Sequence, residues 1–160
     1  YEDKNVEVFV RQGVYTREEA KARADIRLEN YTNIINIEAL TMVEMAKRDV
    51  IPAVSDFIAE LCGNLAAKRA VYDELPCETE KKLISRLSAL NDEASLTVEK
   101  LESDLKNIDM REIVSSAQAM AHTVIPDMDK LRNCVDEMET LTSSDYWPYP
   151  SYFDILYGVK

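Results

Sequence analysis

The chain predicts an all-α fold, an elongated antiparallel bundle of three long, proline-kinked helices with an irregular aromatic C-terminal tail, and three observations carry that prediction. Three Gly and five Pro among 160 residues leave little material for hairpins, whereas Ala, Leu, Glu, Lys and Met, all strong helix formers, are plentiful. Apolar residues recur at helical spacing over three long stretches joined by short connections. Two of those stretches step by alternating fours and threes, the a/d seam of a coiled coil. The length suits a single domain spanning 1–160 with a real core.

The first fifteen residues read as a linker. Helix one, 16–75, opens at Thr16, a plausible N-cap, with Glu19 at the third helical position to close a capping box and Gly13 just outside. From Ile34 onward, Ile34, Ile35, Ile37, Ala39, Leu40, Met42, Val43, Met45 and Ala46 occupy more of the circumference than one core-facing stripe uses. Helical spacing continues through Val54, Phe57, Ile58, Leu61, Leu65 and Tyr72, so Pro52 kinks the helix without ending it.

Pro76 ends helix one and a short connection leads into helix two, 78–107, with the seam Leu83, Leu87, Leu90, Ala94, Thr97 and Leu101. Helix three, 109–142, starts at a second capping-box signal, Asp109 with Glu112, and carries the seam Val114, Ala117, Ala121, Val124, Met128, Leu131, Val135 and Met138 across Pro126. Short connections between long helices favour antiparallel neighbours, hence up, down, up. A weak echo, Met45-Ala46 before Val50-Ile51-Pro52 and Met120-Ala121 before Val124-Ile125-Pro126, points to shared bending more than to duplication.

Length sets the main functional expectation. Helix two is about 45 Å long and helix one about 85 Å at 1.5 Å per residue. Helix two therefore covers helix one only down to about Met42 to Met45. Ile34, Ile35, Ile37 and Leu40 are left projecting beyond the bundle, a patch that calls for a partner.

Composition narrows the classes of partner. Nineteen Lys plus Arg against thirty Asp plus Glu give a net charge of −11, spread along helices. Such a surface repels nucleic-acid phosphates and anionic lipid, so neither nucleic acid nor membrane is expected as a partner. The longest unbroken apolar runs fall short of the roughly 18 residues of a membrane span, and the chain reads as soluble. Cys62, Cys77 and Cys134 have no C-x-x-C spacing and read as reduced thiols of a cytoplasmic protein. The chain begins with Tyr1 and no basic-then-apolar leader, which reads as a processed or excised piece.

Catalytic chemistry finds little footing, and no catalytic, cofactor-binding or metal-binding residue is assigned. His122, the sole histidine, has Gln118 and Pro126 four residues to either side and no carboxylate spaced to share a metal. Gly13, Gly63 and Gly158 stand apart, so no glycine-rich phosphate loop forms. Glu78, Glu80, Glu99, Glu102 and Asp104 read as solvated helix faces. The tail 143–160 gathers half of the aromatic residues, Tyr146, Trp147, Tyr149, Tyr152, Phe153 and Tyr157, with Pro148 and Pro150 forcing an extended path. It either wraps the bundle or docks on another subunit, where Trp and Tyr make good anchors. The candidate interface is therefore Ile34, Ile35, Ile37 and Leu40 with Trp147, Tyr149, Tyr152 and Phe153.

Two runs also carry a family resemblance. The pattern G-V-Y-T-R-E-E-A-x-A-R from Gly13, then E-N-Y-x-N-I-I-N-I-E-A-L-T-M-V-E-M-A and I-P-A, resembles the segment just after the catalytic domain in type III glutamine synthetases. The finish, Trp147-Pro148-Tyr149-Pro150-Ser151-Tyr152-Phe153 followed by Asp154-Ile155-Leu156-Tyr157, is similar to the aromatic, proline-rich end of those enzymes. The resemblance implies the helical C-terminal domain of a ligase that condenses glutamate with ammonia, using ATP and Mg or Mn, and assembles as two stacked hexameric rings. It implies the catalytic domain of the same chain and neighbouring subunits as partners, and maps no ligand of those groups onto this sequence. A stand-alone coiled-coil adaptor or scaffold is the alternative; the capped first segment and the aromatic finish are features it does not need.

Overall fold

The computed structural model describes residues 3–158, and of Tyr152 the backbone alone. Helix takes up 83% of those residues, and no strand is found among them. The stretch expected as a linker contains a helix, α1 (Asp3–Arg11). Polar pairs and ring packing dock it on the start of the next helix: Arg17 donates to the carboxylates of Asp3 and Glu7 at 3.1 and 3.0 Å, and the Phe9 and Tyr15 ring centroids lie 5.7 Å apart. Gly13, at φ 63°, makes the turn between them in a conformation that other residues rarely adopt.

Helix α2 (Arg17–Met45) opens on a complete capping box. The Glu19 N–H donates to the Thr16 hydroxyl at 3.2 Å and the Thr16 N–H to the Glu19 carboxylate at 2.8 Å, satisfying two backbone donors that the first turn leaves free. The helix continues through a π-helical turn, Ala46–Val50, into α3 (Ile51–Val71). The turn explains how Pro52 is carried. In a regular helix its ring would meet the carbonyl four residues back; here the Ile51 N–H reaches the Ala46 carbonyl, five back, and the wider turn makes room. The second Val-Ile-Pro does the same: a π turn at Met120–Val124 lies between α5 (Ile113–Ala119) and α6 (Ile125–Leu141), and the Ile125 N–H bonds to Met120.

Between them runs α4 (Glu78–Asn107), and ion pairs with one neutral hydrogen bond fix its direction. Lys68 pairs with Glu80, Asn91 donates to Ser55 at 2.9 Å, and Lys47 donates to Glu102 at 3.0 Å. Numbers that rise on one helix while falling on the other mean antiparallel packing. Arg86 with Glu137, Glu93 with Lys130 and Lys100 with Asp127 fix α4 against α6 in the same way. The third helix does not begin at Asp109: that carboxylate takes the Arg111 guanidinium at 2.9 and 2.7 Å and the Arg111 N–H at 3.1 Å in a local turn, and α5 starts only at Ile113.

The core lies where these helices meet. Leu87, Leu90, Ala94, Thr97 and Leu101 of the α4 seam are buried, joined by Val98. On the third helix the buried line is Ala117, Met120, Val124, Asp127, Leu131, Cys134 and Met138. The sequence seam is thus half kept and half turned by one position: Ala121, Met128 and Val135 are only half buried and Val114 is exposed. This helix packs on α4 and on helix one together, and that double contact rotates its inward face. Asp127 comes to lie only 7% exposed, with the Lys100 ammonium donating to both of its oxygens at 2.7 and 2.6 Å.

One feature of helix one departs from the reading of its apolar runs. The continuous helix Arg17–Val71 holds an 18-residue stretch of mean hydropathy 1.3, long and apolar enough to cross a membrane by those measures alone, with 17% of it buried. Averaging over a window passes through isolated charges that break every unbroken run. The inward line Val43, Val50, Val54 and Leu61 nevertheless belongs to the core.

Candidate functional site

Two surfaces stand out, and both are apolar. The first is the outward face of α2. The α5 segment packs beside this half of the helix, and Ile35 turns inward against the core. Ile34, Ile37 and Leu40 remain 55, 64 and 50% exposed, with Ile26 further along the same side. The four aliphatic residues expected to project are therefore divided: three on the outer face, one at the packed side. Charge is sparse there. Between Arg27 and Glu44 the exposed positions are Glu29, Asn30, Asn33, Ile34, Ile37, Glu38, Leu40 and Thr41.

The second surface is a groove of about 410 Å³ between the π turn of helix one and α6. Met42, Met45, Met128 and Val135 floor it, Trp147 and Tyr149 close one side, and Asp129, Arg132, Asp136 and Glu139 stand at the rim. Methionine packs well in such irregular gaps because its thioether chain is flexible. The tail holds its place by named contacts. Tyr149 donates to the Asp49 carboxylate at 2.8 Å, and the rings of Tyr146 and Phe57 are 5.4 Å apart. Burial, with the acidic neighbour adding to it, pushes the Tyr149 phenol up to about 12.

Beyond Pro150 the chain turns outward. A second capping box, Ser151 with Asp154, starts α7 (Tyr152–Tyr157), and Gly158 ends it at φ 56°. The tail expected to be irregular thus ends in a short helix, because Ser151 and Asp154 have N-cap and N3 chemistry. Phe153 is 67% exposed there, and Ile155, Leu156 and Tyr157 are likewise exposed. The side chain of Tyr152 lies outside the described residues.

Reactive groups do not converge. Among the described residues no three His, Cys, Asp or Glu side chains are placed to hold a metal ion, and the phosphates of a nucleotide would find no glycine-rich cradle. No chemical step through Mg, Mn or ATP is assigned to these residues. His122 is exposed on the second π turn. Cys62 is exposed, while Cys77 and Cys134 are buried; burial raises the Cys134 thiol above its ordinary value, and Glu93 and Glu137 add to the rise against the opposing charge of Lys130. Missing from the sequence reading were the methionine groove and the Lys100–Asp127 pair. Asp127 could have been found from its place three and four residues from Val124 and Leu131.

The class follows from these observations: an elongated helical domain whose features are packing faces, with no converged catalytic cluster among the described residues. Residues 1–69 match the family model described as the glutamine synthetase C-terminal domain. The chain is similar to a glutamine synthetase of Butyrivibrio fibrisolvens, 33% identical over 159 residues, covering 99% of this chain and 23% of that protein. It is also similar to a type-3 glutamine synthetase of Dictyostelium discoideum, 25% identical over 162 residues, covering 97% of this chain and 22% of that one. A glutamine synthetase of Bacteroides fragilis strain YCH46 is 23% identical over 155 residues, covering 94% of this chain and 21% of its own. Over nearly its whole length the chain is similar to proteins named glutamine synthetase, and over residues 1–69 to the C-terminal domain of that family. It spans less than a quarter of the length of the relatives it matches.

Proposed function

We propose that this domain serves packing and oligomer assembly in a glutamine synthetase of type III. The whole enzyme would condense glutamate with ammonia in the cytoplasm, using ATP and Mg or Mn held by a catalytic domain elsewhere in the polypeptide. The observation that carries this reading is the coincidence of two facts. The alignment runs over nearly the full chain yet under a quarter of each relative, and among the described residues the aliphatic face of α2 stays exposed. A face bearing Ile34, Ile37 and Leu40 is what an obligate interface uses. The catalytic domain of the same chain and neighbouring subunits, in two hexameric rings, are the partners this reading supplies. The adaptor reading is not favoured, since the relatives that align along this chain carry a ligase name.

The test separates assembly from chemistry. The 160-residue chain, given glutamate, ammonia, ATP and Mg or Mn, is expected to form no glutamine. Removal of the same segment from the longer enzyme is expected to break its assembly. Turnover by the purified chain, or unchanged assembly without it, contradicts the reading.

A further inference from the structure

We propose that a second copy of this chain packs antiparallel across the outward face of α2, with Asn30 of one copy against Ile37 of the other. The inference deepens the assembly reading and rests on it, naming one face, one occupant and one register.

The observation is the order of residues along that face. Glu19, Arg23, Ile26, Asn30, Ile34, Ile37, Thr41, Glu44 and Arg48 follow one another by three or four positions, so they form a single line down the helix, and every one of them is exposed. The line reads acidic, basic, five uncharged residues, acidic, basic. Such an order is self-complementary in one direction only. If two copies meet about a twofold axis passing between Asn33 and Ile34, Glu19 faces Arg48, Arg23 faces Glu44, Asn30 faces Ile37, and Asn33 faces Ile34. Side by side in the parallel direction, each charge would face its own kind. A twofold interface uses the same patch on both subunits, which is the symmetry this order fits.

The present contacts of these residues leave the arrangement open. Arg48 donates to Glu44 at 2.8 Å within its own helix, one oxygen of Glu19 accepts the Thr16 N–H, and Arg23 lies 4.6 Å from the Tyr15 ring centroid. All three contacts are local to one surface. In a pair, each Glu44 would stand between its own Arg48 and the opposing Arg23, alternating the signs across the seam. The uncharged centre would remove Ile26, Ile34 and Ile37 from water on both copies, and the flanking charges would set direction and register more than affinity.

The experiment uses the 160-residue chain with Cys62→Ser, which removes the exposed thiol. With Asn30→Cys and Ile37→Cys added, oxidation is expected to give a covalent dimer whose bond joins positions 30 and 37 of different copies, as peptide mass mapping reads. Arg23→Glu alone is expected to weaken the non-covalent dimer by about tenfold or more in sedimentation. Arg23→Glu with Glu44→Arg is expected to restore it, because each reversed charge then meets its reversed partner. A dimer that forms no bond between these positions, or one that the double reversal fails to restore, overturns the proposal. So does a chain that stays monomeric at high concentration, or one that stays monomeric while binding phospholipid vesicles. A monomer would remove this pairing alone; the assembly reading stands or falls separately, on the oligomer of the longer enzyme.

Discussion

Leu87 and Leu131 have almost no exposure, and each sits on a line that the sequence already marked as a seam. Truncation of either to Ala should remove both its transfer free energy and the packing around the cavity, about 2 to 5 kcal/mol, read from the denaturant midpoint at constant slope. Tyr149 gives a residue-scale prediction of a different kind. Its phenol is held protonated up to about 12, above its ordinary value, by burial and then by Asp49. A raised value in the fold means that its contribution is complete below pH 10 or so and is lost as pH rises through about 12. Lys100, raised by its bond to Asp127, behaves alike in sign above the ordinary lysine value. Alkaline titration followed by tyrosine absorbance should therefore show Tyr149 as the latest phenol, beyond Tyr146, which its bond to Glu60 also raises, coupled to release of the tail from the groove. Tyr149→Phe should remove that late component; a Tyr149→Phe chain with an unchanged titration would contradict the assignment.

Elements were more legible than their edges. The 3.6-residue spacing announced helix one, α4 and the third helix, and the Thr16 and Glu19 pair placed the start of α2 because a capping box is a local chemical arrangement. The same motif misled at Asp109, where Arg111, two residues on, competes for the carboxylate. The π turns were visible only as a repeated Val-Ile-Pro; the proline signals a disturbed ladder, but spacing alone does not say whether a kink or a wider turn relieves it. The turned face of the third helix was hidden because a heptad written for one neighbour cannot show which of two neighbours dominates. Thr16→Ala tests the best-read element: loss of the cap should cost about 1 kcal/mol and increase hydrogen exchange in the first turn of α2. The backbone N–H of Thr16, the first cause, holds the Glu19 carboxyl below its ordinary value, so this part of the cap is present above the usual carboxylate range and fades as pH falls through the lowered value. Exchange protection of that turn should accordingly fall with acid in the parent and be low throughout in Thr16→Ala.

At the scale of the molecule, the bundle buries its seam well and, besides the methionine groove, leaves the apolar α2 face and α7 to the outside. The α2 face was foreseen from helix lengths, though that arithmetic omitted the packing of Ile35 against the core. The exposure of α7 was not foreseen, since aromatic composition does not distinguish a residue that docks on its own bundle, as Trp147 and Tyr149 do, from one that stays outside, as Phe153 does. On the proposed reading, a helical domain with such faces acts by what it packs against. The most direct test is the mass of the longer enzyme carrying Ile34→Glu and Ile37→Glu, measured in solution beside the parent. The substitutions lie on an exposed helix face and should leave helicity unchanged while the assembled form gives way to smaller species. Full assembly at the parental mass, with helicity retained, would contradict the role assigned to this domain.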